Sequence, residues 1–266
     1  MKKTTTAMIG IIGLLAFLAG TASATSTLSA KFTGIGPNGG AGVRVYYTPD
    51  VGSAVAANTT AGEYLWQVTY AFTDEGDSLP SVDSTFPTFC IDVEGRIQLN
   101  HTYTWSVLSG KDEIVGFAPS RMPPGGAIQG GQYDRLLKLY ALFYNKGDGS
   151  WTNTEAAAFG ASVWEIVWES PASKILPTSY DVDADLLRVY NNTAVINRAQ
   201  HMLDDVLASD VVPYGELYAL VNRDAGQDQM IAFGVGSNNV PEPLTLLAIG
   251  SAGMGLAGYV RRRRLA

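Results

Sequence analysis

Cys90 carries the most reactive side-chain group of the chain and is its only cysteine. A single cysteine cannot form an internal disulfide, so Cys90 is a free thiol, a partner in a disulfide between molecules, or a residue with a special role. A simple structural role is also open, because free cysteines are among the most buried residue types. In TFCIDV, the apolar residues Phe89, Ile91 and Val93 occupy every second position, and Cys90 lies on the opposite face with the polar residues between them. This alternation predicts a strand with two distinct faces.

Two carboxylates with a neighbouring aromatic residue occur in WEIVWE, where Glu165 and Glu169 lie four residues apart on a predicted helix. Two acids flank the scissile bond in glycoside hydrolysis, which makes an exported polysaccharide hydrolase one alternative. These two acids share one helical face instead of facing each other across a cleft, so we expect a solvated face, with Trp168 in the core. Neither His101 nor His201 has a recognisable catalytic partner nearby in sequence.

A weak calcium motif occurs in DVDAD, whose carboxylates stand at alternate positions, as at the start of a calcium-binding loop. These carboxylates belong to Asp181, Asp183 and Asp185. Leu186 replaces the required glycine, and Asn192 stands where a glutamate would close the site. We therefore expect the three acids to cap the following helix, where the helix dipole favours negative charge. No other metal site and no cofactor is predicted.

The first half of the chain has the alternation of apolar and polar residues that is typical of strands. Strands are predicted over residues 42–48, 63–72, 88–93 and 103–108, separated by turns rich in Gly, Asn, Asp and Pro. A long loop over residues 118–132 ends this region.

The second half of the chain has a helical period. Helices are predicted over residues 133–145, 152–170 and 195–208, and two short strands over 216–221 and 229–235. The second helix has an N-cap at Thr152, Asn153 or Thr154, and its apolar stripe is formed by Phe159, Val163, Ile166 and Val167. The predicted class is α+β, a mainly antiparallel sheet or barrel with a helical insertion.

The N-terminus has the three parts of a secretory signal peptide over residues 1–24. Lys2 and Lys3 form a basic region, an apolar run follows, and Ala22 and Ala24 give the small-x-small pattern that signal peptidase recognises. We predict cleavage after Ala24.

The C-terminus has the composition of a membrane anchor. Residues 244–260 contain no charge, and at helical rise these 17 positions cover about 26 Å, the short end of a transmembrane helix. A basic tail over residues 261–266 follows, and its four arginines are Arg261, Arg262, Arg263 and Arg264. Such clusters stay in the cytoplasm, so the body is expected outside it.

The body between these signals is predicted as one extracellular domain over residues 25–236, joined to the anchor by a linker over 237–243. Without the two terminal segments the chain keeps 12 basic and 24 acidic residues, a net charge near −12. This charge argues against nucleic acid as a partner, because nucleic-acid binding depends on lysine and arginine at phosphates.

The tail as a whole resembles the PEP-CTERM sorting signal of Gram-negative, biofilm-forming bacteria. The tripeptide Pro241, Glu242 and Pro243 is followed by the apolar segment and the arginine cluster, in that order and at the end of the chain. The resemblance implies that an exosortase in the inner membrane cuts near the tripeptide and directs the body to the cell surface or the extracellular matrix.

TFCID together with AAAFGASVWEIV resembles the two halves of the bacterial thioester domain and its PEP-CTERM relatives. In that family a strand cysteine forms a thioester with a glutamine, in a helical motif close to Leu-Gln-x-Ala-Ile-Trp. On that pattern Cys90 matches the cysteine and Trp164, followed by Glu165, matches the tryptophan. Gly160 stands in place of the glutamine. The resemblance thus implies the fold without the bond, and we expect Gly160 to permit a close approach of helix to strand.

The expected function is that of a non-enzymatic surface or extracellular-matrix protein, with a structural or adhesive role. Exosortase and signal peptidase are its expected partners during export, and matrix polysaccharide or other surface proteins afterwards. It would be anchored transiently in the inner membrane and then reach the cell surface or the medium. A covalent thioester adhesin, using a glutamine outside the motif, remains an alternative.

Overall fold

The computed structural model describes residues 26–47, 54–73, 79–93, 96–119, 126–144, 151–168, 182, 187–222 and 226–237. The predicted signal peptide, the predicted sorting signal and membrane segment, and the three aspartates of the possible calcium motif lie outside these residues. Within them, no helix is both long and apolar enough to span a membrane.

The described chain contains seven strands and four helices, so the fold is α+β as predicted. The strands are β1 Thr27–Tyr47, β2 Val55–Phe72, β3 Thr85–Cys90, β4 Thr102–Ser109, β5 Leu187–Tyr190, β6 Pro213–Asn222 and β7 Gln229–Ser237. The helices are α1 Gly110–Ile114, α2 Gly130–Phe143, α3 Asn153–Trp168 and α4 Thr193–Ala208.

Six of the strands form a closed antiparallel sheet. The order of hydrogen-bonded neighbours is β2-β3-β7-β6-β4-β1, and β1 pairs in turn with β2, which closes the ring. β1 pairs with β4 through its first residues and with β5 through its last, while β2 follows it along nearly its whole length. Register shifts after Ser29, Phe32 and Ile35 mark bulges, which bend a strand and increase its twist.

The interior of the closed sheet is filled by large apolar side chains. Every strand of the ring contributes alternate residues to one buried cluster, as the period of two requires. Trp66 of β2 and Trp105 of β4 are fully buried, and their ring centroids lie 4.8 Å apart in an edge-to-face arrangement. Such pairs add stability beyond the area they bury.

A second core lies between the outer face of the sheet and the helices. α3 is its centre, since it contacts β1, β2 and β3 on one side and α2 and α4 on the other. All thirteen residues from Ala156 to Trp168 are buried, so α3 has no solvated face. The prediction of one apolar stripe was therefore too narrow, and the expectation that Glu165 is solvated was wrong. Trp168 packs in the core as predicted.

Helix starts follow from local capping. Thr152 accepts a hydrogen bond from the Glu155 N–H (3.2 Å), and the Glu155 carboxylate accepts one from the Thr152 N–H (3.0 Å), which together form a capping box. Gln129 and Gln132 form a second capping box at the start of α2. α2 therefore begins at Gly130, and the predicted loop over 118–132 ends three residues earlier than expected.

Candidate functional site

Cys90 is the last residue of β3 and points into the closed sheet. Its side chain is 1% exposed. The thiol donates a hydrogen bond to the Asp92 carbonyl oxygen, and the Asp92 N–H donates to Sγ at 3.3 Å. The Ile91 N–H still donates to the Asp228 carbonyl oxygen (3.0 Å), in register with the Cys90–Gln229 pair, but the strand itself ends at Cys90. The predicted strand over 88–93 is therefore three residues too long at its end.

The electrostatic surroundings keep Cys90 protonated. Burial raises the pKa of its thiol well above the usual range, and the carboxylates of Asp92 and Asp228 raise the pKa further. The Asp92 N–H and Trp164 lower this pKa by less. Because the thiolate is the nucleophilic form, Cys90 lacks the environment of a reactive cysteine.

Gly160 of α3 lies against the backbone of β2. A Cβ atom at Gly160 would stand 3.1 Å from the Gly62 backbone nitrogen, tighter than ordinary van der Waals contact. The expected close approach of helix to strand is thereby confirmed. Trp164, one turn later, is 1% exposed and lies beside Cys90. The fold thus brings Cys90 and Trp164 together. Gly160, which lies between them in the sequence, allows α3 to pack closely on β2.

The structure places another glutamine opposite Cys90. Gln229 begins β7, is fully buried and pairs directly with Cys90 across the two antiparallel strands. Directly opposed residues share one face of a sheet, with Cβ atoms about 4.5–5.5 Å apart. Sequence analysis missed Gln229 because the order of strands in the ring has no local signal.

A chain of hydrogen bonds holds the Gln229 carboxamide. The Trp66 indole N–H donates to Thr88 Oγ1 (2.8 Å), and the Thr88 hydroxyl donates to Gln229 Oε1 (2.8 Å). Gln229 Nε2, by contrast, is buried and has no hydrogen-bond partner among the described residues. A buried polar atom left unpaired is uncommon and asks for an explanation.

A pocket of about 390 Å³ opens on the outer face of the sheet, over β2, β3 and β7. Its polar lining includes Glu63 of β2, Asn38 of β1 and Tyr144, which follows α2. Apolar lining comes from residues such as Leu65, Pro80, Pro87 and Ala232. A small apolar cavity with a few convergent polar groups has the general form of a ligand site.

Glu63 is a buried carboxyl group at this pocket, 1% exposed. Its Oε2 accepts the Asn38 backbone N–H (3.1 Å), and its Oε1 accepts the Tyr144 hydroxyl (3.2 Å). Burial raises the pKa of Glu63, and these two hydrogen bonds, with a further one from the Asn38 side chain, oppose the rise. Gly36 leaves room for the side chain, because a Cβ at Gly36 would lie 2.9 Å from Glu63 Cγ and Oε2.

The hydroxyl group of Tyr144 is suited to donate a hydrogen bond to Glu63. Burial raises the pKa of its hydroxyl, and the negative charge of Glu63 raises it further. The ring belongs to an aromatic cluster on the helical side of the sheet, with Phe89 at 5.7 Å and Trp151 at 5.7 Å between centroids. The cluster therefore fixes the ring that faces Glu63.

The remaining predicted sites are not assembled in the described chain. His101 and His201 are both exposed, and the His101 ring packs against Tyr103 at 4.6 Å. Within the described ranges, no group of three or more His, Cys, Asp or Glu side chains is placed to hold a metal ion. Glu165 is fully buried in α3, and Glu169 lies outside the described residues.

Comparison of the chain with family models, with curated proteins and with solved structures gave no match.

Proposed function

We propose that this chain is an exported protein of the cell surface or extracellular matrix, with a structural or adhesive role and without catalysis. One observation carries the proposal for the body. The residues that resemble a thioester centre are used for packing: Cys90 is a buried thiol held protonated, and Gly160 lies against the β2 backbone.

Support for export and sorting comes from the two ends of the chain. A signal peptide over residues 1–24 and the tripeptide, apolar segment and arginine cluster of 241–266 fit processing by signal peptidase and an exosortase. The acidic body, with a net charge near −12, suits a soluble chain outside the cytoplasm. Matrix polysaccharide or other surface proteins are its proposed partners after release.

The intact mass of the protein recovered from its own host tests this function. We expect a mature start at Thr25 and loss of the segment after the tripeptide. An alkylating thiol reagent should leave the folded protein unchanged, since Cys90 is buried, and should add one group after denaturation. A mass that retains either terminal segment contradicts the proposed export and sorting.

A covalent adhesin is a second candidate function, favoured by Gln229 opposite Cys90 and by its unpaired amide nitrogen. The Cys90 sulfur would attack the Gln229 side-chain carbonyl carbon, the C–N bond would break, and ammonia would leave with the thiol proton. A target amine would then displace the sulfur, form an amide and restore the thiol.

The same mass measurement separates the two functions. A thioester makes the protein lighter by one ammonia and keeps Cys90 unreactive after denaturation until an amine is added. Gln229→Ala would then restore the alkylatable thiol, whereas Gln227→Ala, two residues away in a buried position, would not. A full mass with one alkylatable thiol in the denatured parent excludes the covalent function.

A further inference from the structure

We propose that the pocket at Glu63 binds a primary ammonium group, with Glu63 as its carboxylate partner and the apolar walls holding the carbon body that carries it. The inference rests on the proposed adhesive function and deepens it, because it names the chemistry that the surface protein would recognise.

The first argument is the charge of Glu63. Its hydrogen-bond donors, the backbone N–H and side-chain amide of Asn38 and the hydroxyl of Tyr144, are all neutral. Within the described residues, Glu63 forms no ion pair. A carboxylate can accept about four hydrogen bonds, so Glu63 retains capacity for a charged donor. Buried charges in proteins are normally paired.

The second argument is that neutral donors do not require a charged acceptor. A glutamine at position 63 could accept from Asn38 with its oxygen, which has two lone pairs, and donate to the Tyr144 oxygen with its nitrogen. Such a side chain would avoid the desolvation cost that raises the pKa of Glu63. The fold therefore does not require a negative charge at position 63. A cationic ligand would compensate that charge.

The third argument is the shape and composition of the pocket. Its volume of about 390 Å³ is at the small end for ligand sites, which suits one aliphatic side chain or one sugar ring. Leu65, Pro80 and Pro87 present carbon surfaces near the carboxylate. The carbon chain of a lysine and the ring of an amino sugar both combine an apolar surface with an ammonium group.

Titration calorimetry on the full-length chain in detergent tests the proposal with defined probes. The two amines are Nα-acetyl-lysine amide and glucosamine, and their neutral counterparts are Nα,Nε-diacetyl-lysine amide and glucose. For each amine that binds, we expect an affinity higher by about tenfold or more than that of its neutral counterpart. Tighter binding of the lysine probe points to a protein partner, and tighter binding of glucosamine to a polysaccharide.

Glu63→Gln is the decisive variant and should weaken amine binding by about tenfold or more. Tyr144→Phe should weaken it less, because the carboxylate remains. Glu113→Gln removes an exposed acid on α1 and is the matched control, with unchanged binding expected. Thermal melts confirm that each variant is folded.

Three results would overturn the proposal: no binding of either amine, equal binding of amine and neutral probe, or unchanged binding by folded Glu63→Gln. None of these depends on the ends of the chain. If the pocket does not bind amines, the proposed sorting function is unaffected. If the mass measurement contradicts sorting, the proposed amine binding is unaffected.

Discussion

The buried carboxyl group of Glu63 makes the stability of the protein depend on pH. Its pKa in the folded state is raised above the ordinary value of 4.5 by burial. Between 4.5 and the raised value, the folded protein binds more protons than the unfolded chain, so stability falls as the pH rises through this window. Above the window, the folded protein carries the full cost of the buried charge.

We predict that Glu63→Gln is at least as stable as the parent at pH 7 and that the difference disappears near pH 4.5. Glutamine resembles the protonated acid and does not titrate, so only the parent changes across the window. Thermal melts at a series of pH values measure this, with Glu113→Gln as a control. A variant that is clearly less stable at pH 7 would mean that the carboxylate itself supports the fold.

The close contact at Gly160 gives a second prediction. Gly160→Ala should destabilise the protein by about 1–3 kcal/mol through overpacking, although alanine favours a helix by roughly 1 kcal/mol over glycine. The new Cβ would meet the Gly62 backbone at 3.1 Å, and backbone cannot move aside as a flexible side chain can. Urea unfolding measures the loss.

The matched control is Gly42→Ala in β1, where a new Cβ meets nothing within 4 Å. It should leave stability within about 0.5 kcal/mol of the parent. Gly160→Gln, which would supply the side chain missing from the thioester motif, should cost more than Gly160→Ala. A glutamine variant as stable as the parent would contradict the close packing of α3 on β2.

At the scale of elements, hydrogen bonds inside the ring connect three strands. Thr88 of β3 receives the Trp66 indole N–H from β2 and donates to Gln229 of β7. Thr88→Val keeps the shape and leaves a buried donor and a buried acceptor unpaired, so a loss of about 2–4 kcal/mol is expected. Thr85→Val, at an exposed position of the same strand, is the control and should change stability by less than about 0.5 kcal/mol. Equal losses in both variants would show that the hydrogen-bond chain is unimportant.

Element prediction succeeded where a regular period was long enough. The later part of β2, β4, and the three long helices were predicted because their apolar residues recur at the period of a strand or helix. The first half of β1 was missed, since Gly34, Gly36, Gly39 and Gly40 resemble turn signals. Pairing with β2, and with β4 at its start, makes that segment a strand. α1 and β5 are too short for any period to identify them.

At the scale of the whole molecule, closure of the ring creates both candidate sites. Cys90 and Gln229 lie 139 positions apart and are paired only because β3 meets β7. Glu63 and Tyr144, 81 positions apart, meet because α2 packs over the outer face of the sheet. Local sequence predicts that Cys90 lies on a strand, but it contains no information on the partners of Cys90 or of Glu63. The pocket therefore could not be predicted from the sequence.

The proposed sorting signal at the C-terminal end of the chain gives the last prediction. Replacing Pro241, Glu242 and Pro243 by alanine should leave the protein in the inner membrane with its tail attached, because the apolar segment and the arginines would remain uncut. Cell fractionation and the intact mass of the membrane-bound form measure this. Alanine at Asn238 and Asn239 changes the same linker without touching the tripeptide and should leave release unchanged. If the tripeptide variant reaches the surface with the same mass as the parent, the tripeptide is not the sorting signal, and another segment must direct the release.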